Sequence, residues 1–326
     1  MIKIKYLLIN LSMSIGLAGI TLPAQAQTTY PTRAVRLIVP SSPGGGTDIS
    51  ARILAPQLTQ FLGQQVIVEN RPGAGTMIGG EAVARAAPDG YTLLMGISTL
   101  AINPAMYKKV TYDALKDLAP ISQAVSLSNV LVIHPSLPAR NVKEFVAFVK
   151  ARPGQINFAS AGVGTSPHLS MELLLVLAKL NMVHVPYKGS GPGVTDLVAG
   201  HVPVMMPNML SAQPHIKSGR LRALGVTGTK RAPGADDIPT IAEAGVAGYE
   251  AVQWYGVLAP AATPRDIITR LHTGVVRALQ NPEVRQRLLN DGAEPVGSSP
   301  EEFAAYLRSE TTKWAQVIKA AGIKPE

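Results

Sequence analysis

The chain has 326 residues, 46% of them hydrophobic and 16% charged, with a formal net charge of +9 and no cysteine. That length exceeds what one core usually carries and favours two lobes, while the composition excludes a disordered or tail-like chain. Lys108-Lys109 and Lys230-Arg231 are the only adjacent basic pairs, so there is no stripe for a phosphate backbone and no nucleic-acid partner is expected.

Lys3 and Lys5 precede an apolar stretch from Tyr6 to Ile20 that runs into Leu22-Pro23-Ala24-Gln25-Ala26. This reads as a secretory leader, residues 1–26, cleaved after Ala26 to release a periplasmic chain. The stretch is short of a membrane span and contains Ser12 and Ser14. Neither disulfides nor a lipid-modified cysteine is available, so stability must come from the core.

After the leader, short apolar runs alternate with helical patterns. Val35 to Val39 reads as a buried strand, Thr47 to Leu62 as a helix stopped by Gly63, and Val66 to Val68 as a second strand. Pro56 predicts a kink or an early break in that helix. A helix from Thr76 to Ala87 ends before the turn Pro88-Asp89-Gly90, and Tyr91 to Met95 is the third strand. This βαβαβ order predicts an α/β fold with a parallel sheet. Ile121 to His134 reads as one extended stretch crossing between lobes.

A second unit follows: a helix from Val142 to Ala151, a strand from Ile156 to Ala159, a helix from Ser166 to Leu180 and a strand from Met182 to Val185. A short helix ending at Gly200 and strands Val202 to Met206 and Leu221 to Val226 complete it. Tyr249 to Leu258 would carry the chain back, and helices from Pro264 to Gln280, from Pro282 to Asn290 behind an Asn281 cap, and from Pro300 to Ala321 finish it. Two crossovers joining a lobe of residues 27–125 and 252–326 to one of 126–251 describe a hinged protein that closes around a ligand.

Candidate chemistry lies in glycine loops between strands and helices. Pro40-Ser41-Ser42-Pro43-Gly44-Gly45-Gly46-Thr47-Asp48 exposes amides beside a helix N-terminus, where an anion is favoured. The same loop is equally a tight turn in which Thr47 or Asp48 caps the helix. Asn70-Arg71-Pro72-Gly73-Ala74-Gly75-Thr76 would emerge at the same sheet edge. In the second lobe, Ala159 to His168 is a third such loop, with Ser166 as the expected cap and Pro167 as the first helical residue. Val185 to Gly193 adds Tyr187, Lys188 and more glycines, and Asn208 follows a strand, where it is as readily a plain turn residue.

No dinucleotide fingerprint, phosphate-binding loop, Gly-x-Ser-x-Gly elbow or metal-spaced histidine set occurs, so no cofactor, metal or catalytic residue is assigned. Ser166 and His168 stand two apart on a helix and cannot pair as nucleophile and base. A secreted serine hydrolase assembled from distant segments stays open as an alternative.

Several segments, in order, carry a family resemblance: Pro43-Gly44-Gly45 with Asp48, Val68 to Gly75, Pro88 to Leu94, Asn103-Pro104, His168-Leu169, His184 to Gly189, Asp196 to Gly200, and Ala259-Pro260. The chain resembles the Bug family, the periplasmic substrate-binding proteins of tripartite tricarboxylate transporters. The resemblance implies a type II periplasmic-binding-protein fold with two lobes, an interlobe cleft for a small di-, tri- or aromatic carboxylate, and delivery to membrane permease subunits. It implies ligand contacts, largely through main-chain amides, at Ser42, Pro43, Gly44, Gly45, Asp48, Gly75 and Thr76, facing Ala161, Gly162, Thr165, His168, Tyr187, Gly189 and Asn208, with Ser98 and Asn103 as further candidates. A monomer is expected, and a receptor kinase in place of a permease is the alternative partner. Relatives usually carry an aromatic near position 41, Gly at 76, and Asp at 203 and 207, where this chain has Ser41, Thr76, Pro203 and Pro207.

Overall fold

The structure, a computed structural model, describes residues 30–320 and residue 323. The leader and its cleavage after Ala26 lie outside the described residues. The chain opens with β1 (Val35–Val39), α1 (Gly46–Leu62), β2 (Val66–Asn70), α2 (Met77–Ala84), β3 (Thr92–Ile97) and α3 (Thr99–Met106). β1 pairs in parallel with both β2 and β3, as the alternation of apolar runs and helical patterns predicts.

α1 does not break at Pro56. Its buried Ile53, Leu54, Leu58 and Leu62 pack on the sheet on both sides of the proline, and this packing outweighs one missing backbone bond. Gly63 ends it with φ 72°, in the left-handed region that glycine adopts without steric penalty. The helix expected from Thr76 to Ala87 begins at Met77, after a single 3₁₀ turn, and stops at Ala84.

The extended stretch from Ile121 to His134 divides at Asn129 into β4 (Leu118–Ser128) and β5 (Val130–Ile133), which belong to different sheets. The second sheet is built by α4 (Val142–Lys150), β6 (Asn157–Ser160), α5 (Ser166–Ala178), β7 (Val183–Pro186), α6 (Ser190–Val198), β8 (Val204–Met205), α7 (Met209–Lys217) and β9 (Arg222–Val226). The chain returns through β10 (Val252–Pro260) and closes with α8 (Arg265–Gln280), α9 (Pro282–Asn290), β11 (Ala293–Pro295) and α10 (Pro300–Ala320). Asn281 caps α9 as expected, its side chain accepting from the amides of Glu283 and Val284.

The two sheets share a plan. The first runs β11-β4-β10-β3-β1-β2 and the second β7-β6-β8-β5-β9. Each has three parallel strands, with the earliest in the middle, flanked by an antiparallel strand next to a crossover: β10 beside β3, and β5 beside β8. In this order the succession of strands across the sheet reverses between β1 and β3 and between β6 and β8, the switch points where α/β sheets bind ligands. Each sheet is buried on both faces. α1 and α8 cover one face of the first sheet, and α10 covers the other through Phe303, which meets the Trp254 ring edge-on at 5.4 Å.

Candidate ligand-binding cleft

The loops leaving these switch points face each other across one cavity of about 90 Å³. The first lobe contributes Pro40, Ser41, Gly45, Gly46 and Thr47 after β1, Gly73 to Thr76 after β2, Ile97 on β3, and Gln253 and Tyr255 on β10. The second contributes Ala161, Gly162, Thr165 and Pro167 after β6, Tyr187 to Ser190 after β7, and Asn208 after β8.

Three α-helices, α1, α5 and α6, begin at this cavity directly and without a side-chain cap, while α2 begins there behind a 3₁₀ turn, with Thr76 at its cap position making no capping bond. The cap positions of α1, α5 and α6 are Gly45, Thr165 and Gly189, and none makes a capping bond. The expectation that Thr47 or Asp48 caps α1, and Ser166 caps α5, is corrected here. The carboxylate of Asp48 accepts instead from the Gly44 amide, Arg52 and Asn70. Thr165 donates to the Gly162 carbonyl, and Ser166 accepts from Asn129 inside the lobe. Helix N-termini carry partial positive charge and unpaired N–H groups, so three aimed at one cavity form an anion site built of backbone.

Among the described residues, the ionisable side chains lining the cavity are those of Lys188, which is exposed, and Tyr187 and Tyr255. Burial pushes Tyr187 up to about 12, helped by its hydrogen bond to Asp196, and burial pushes Tyr255 up. Both phenols are therefore neutral. Burial would raise the Asp48 carboxyl, but its bonds from Arg52, Gly44 and Asn70 outweigh this and hold it below its ordinary value. Among the described residues no cluster of His, Cys, Asp and Glu could hold a metal ion.

The expected site residues fall into three groups. Gly45, Gly75, Thr76, Ala161, Gly162, Thr165, Tyr187, Gly189 and Asn208 line the cavity. Ser42, Pro43 and Gly44 instead meet the other lobe: the Ser42 amide donates to the Lys188 carbonyl at 3.3 Å, its hydroxyl does the same, and Gly44 packs on Gly191. Asp48, Ser98, Asn103 and His168 stand behind the wall. Asn103 donates to the Gly75 carbonyl at 3.0 Å, and the Gly164 amide donates to His168 Nδ1 at 3.2 Å. Pro203 and Pro207 also lie off the cavity, their carbonyls accepting from His134 and Val130 in the sheet.

Of the departures, Ser41 and Thr76 reach the cavity, and Thr76 does so at a strained backbone position. It holds φ 76°, costly for a β-branched residue, and its hydroxyl meets that of Thr99 at 2.5 Å. Sequence reasoning did not single out Gln253 and Tyr255, which sit on the crossover strand. Their signal is their spacing: residues two apart on a strand share a face.

His184 lies beneath the Ala161–Thr165 loop, stacked on His168 at 4.1 Å, with Nε2 2.6 Å from Ser160 Oγ. Burial, with His168 beside it and Glu172 opposing, pushes its pKa down to about 4. A histidine that stays neutral in the fold but takes up a proton when unfolded stabilises fully above its ordinary value of 6.5. That contribution is lost as pH falls from there toward 4. With allowance for the partial exposure of the ring, His184→Gln is expected to remove about 1 kcal/mol of the stability difference between pH 7 and pH 4.5, measured by urea unfolding. Equal pH dependence in variant and wild type contradicts the assignment.

Residues 50–323 match the family model described as the tripartite tricarboxylate transporter family receptor. Among solved structures, the periplasmic binding protein BugD is 34% identical over 91% of this chain and 100% of its own, with a TM-score of 0.89. Rpa4515 of Rhodopseudomonas palustris, solved with adipate, is 36% identical with the same coverage and TM-score. MatC from Rhodopseudomonas palustris, solved with bound malate, is 33% identical over 89% of this chain and 100% of its own, with a TM-score of 0.84.

Proposed function

The chain belongs to the tripartite tricarboxylate transporter receptor family, a solute-binding rather than an enzymatic one, and from that premise we propose that it captures a small carboxylate between its lobes in the periplasm. The observation that carries this reading is the convergence of three uncapped helix N-termini on a cavity with no buried counter-ion. Such a site neutralises a carboxylate with backbone dipoles and pairs each oxygen with N–H groups. Adipate in Rpa4515 and malate in MatC support the ligand class.

In this reading residues 1–26 are an export leader, residues 27–125 and 252–326 form one lobe and residues 126–251 the other. The loaded, closed monomer is handed to permease subunits in the membrane. The residues assigned to ligand contact are those of the expected set that line the cavity, while Ser42, Pro43 and Gly44 latch the lobes together.

Thermal unfolding of the protein, first unfolded and refolded to strip bound solute, tests this against mono-, di- and tricarboxylates, with neutral amides and sugars as controls. A carboxylate present at a hundred times its Kd adds about 2.7 kcal/mol of stability, a readily measured rise in Tm. A rise with neutral solutes alone contradicts the proposal.

A further inference from the structure

The helix N-termini account for the carboxylate of a ligand, and the β10 wall beside α1 carries a buried acceptor, Gln253 Oε1, that a carboxylate cannot serve. Resting on the carboxylate reading above, we infer that the ligand bears a hydrogen-bond donor, in the simplest case a hydroxyl, read by Ser41, Gln253 and Tyr255.

Gln253 and Tyr255 stand two apart on β10, so both project from one face of the strand. Tyr255 pairs in register with Ile97 of β3, itself a lining residue. Ser41 follows β1, the strand on the other side of β3. All three line the cavity and all three are buried, at 9%, 3% and 0% exposure for Ser41, Gln253 and Tyr255. Yet Ser41 Oγ and Gln253 Oε1 make no hydrogen bond within the protein, and Tyr255 Oη has only a contact with the Thr47 hydroxyl that falls outside good hydrogen-bond geometry. A side chain built onto Gly46 would overlap both Tyr255 Oη and Asn208 Oδ1, which places these oxygens over the first turn of α1.

Buried polar atoms are nearly always paired, so three without a good partner on one wall call for one in the cavity. The chemistry of that partner follows from what each atom can do. An ionised carboxylate only accepts, and it is satisfied by the N–H groups of α1, α5 and α6. Gln253 Oε1 also only accepts, so no carboxylate oxygen can pair with it, whereas the Ser41 and Tyr255 hydroxyls can donate or accept. A ligand hydroxyl donates to Gln253 and accepts from a neighbouring hydroxyl, closing a network that an unsubstituted chain leaves open. A site built to bond a hydroxyl rejects the analogue that lacks it, because its own groups are then left unpaired.

The test is calorimetric titration of the stripped protein with matched pairs that differ by one hydroxyl: malate against succinate, 2-hydroxyadipate against adipate, and lactate against propionate. The hydroxylated member of at least one pair is expected to bind about tenfold or more tightly than its partner. Tyr255→Phe and Gln253→Met, each of similar shape, are expected to bring that ratio toward one, with folding checked by Tm. Equal affinity within every pair that binds overturns the inference and leaves the carboxylate reading standing, as does a ratio that survives in both variants. Binding of no carboxylate overturns the reading and the inference together.

Discussion

Replacing Gly45 with aspartate is expected to leave the fold as stable as before, or more stable by a few tenths of a kcal/mol, while weakening carboxylate binding by about a hundredfold or more. The two effects have opposite signs for one reason. Gly45 is the cap position of α1 with φ −79° and ψ 161°, a conformation open to any residue. A Cβ there meets only ordinary contacts, 3.6 Å from the Ser42 carbonyl and 3.8 Å from the Ser190 amide. Aspartate is among the preferred caps, so its carboxylate can take the N–H groups that α1 now holds unpaired. It thereby fills the anion site with a tethered anion and repels the one in solution. Gly45→Asn, which caps but carries no charge, is expected to lose less affinity than aspartate. Urea unfolding and calorimetry on the same samples measure both effects, and a carboxylate bound with unchanged affinity by the aspartate variant contradicts the account.

Gly191→Leu is expected to fold normally and to lose about a hundredfold in affinity because the lobes can no longer close. Gly191 lies in the first turn of α6, and its α-carbon faces the first lobe so closely that any Cβ would overlap the Pro43 carbonyl. The obstruction exists only when the lobes meet. Opening relieves it without disturbing either core, and leucine is a better helix former than glycine. A ligand that engages both lobes then binds only the open state through one of them, and its apparent affinity falls with the population of the closed state. The closed state also holds the hydrogen bonds from Ser42 to Lys188 and from Tyr107 to Val163. Scattering should therefore show the wild type compacting on ligand addition and the variant staying extended. Compaction of the variant to the wild-type radius contradicts this role.

Much of this architecture is legible in the sequence, because its strongest signals are local. β1 is apolar but for Arg36 and is bounded by Pro40, and Gly63 and Asn281 mark helix ends through chemistry confined to a few residues. The glycine loops are legible for the same reason, and they supply most of the cavity. What local patterns hide is what depends on distant partners. α3 and α7 contain Pro104 and Pro214, which argue against helix, yet tertiary packing holds both helices together. β11 is three residues long and exists through its pairing with β4.

The same limit explains the site. The family resemblance counts His168 among the ligand contacts, but the structure turns its ring inward onto His184, where it holds the loop from behind. Gln253 and Tyr255 lie in a stretch with little polar alternation. Its two faces are distinguished only by what covers them, α10 against Trp254 and the cleft against Tyr255. Ser42, Pro43 and Gly44 belong to the right loop, yet only the meeting of two lobes distant in sequence decides that they touch protein rather than ligand.

The central claim is that backbone amides, with no buried cation, hold the carboxylate, and a crystal structure of the complex with a bound carboxylate tests it most directly. The account predicts a carboxylate group with its oxygens within about 3 Å of N–H groups in the first turns of α1, α5 or α6. A ligand carboxylate paired instead with the ammonium of Lys188, or lying outside this cavity, would contradict it.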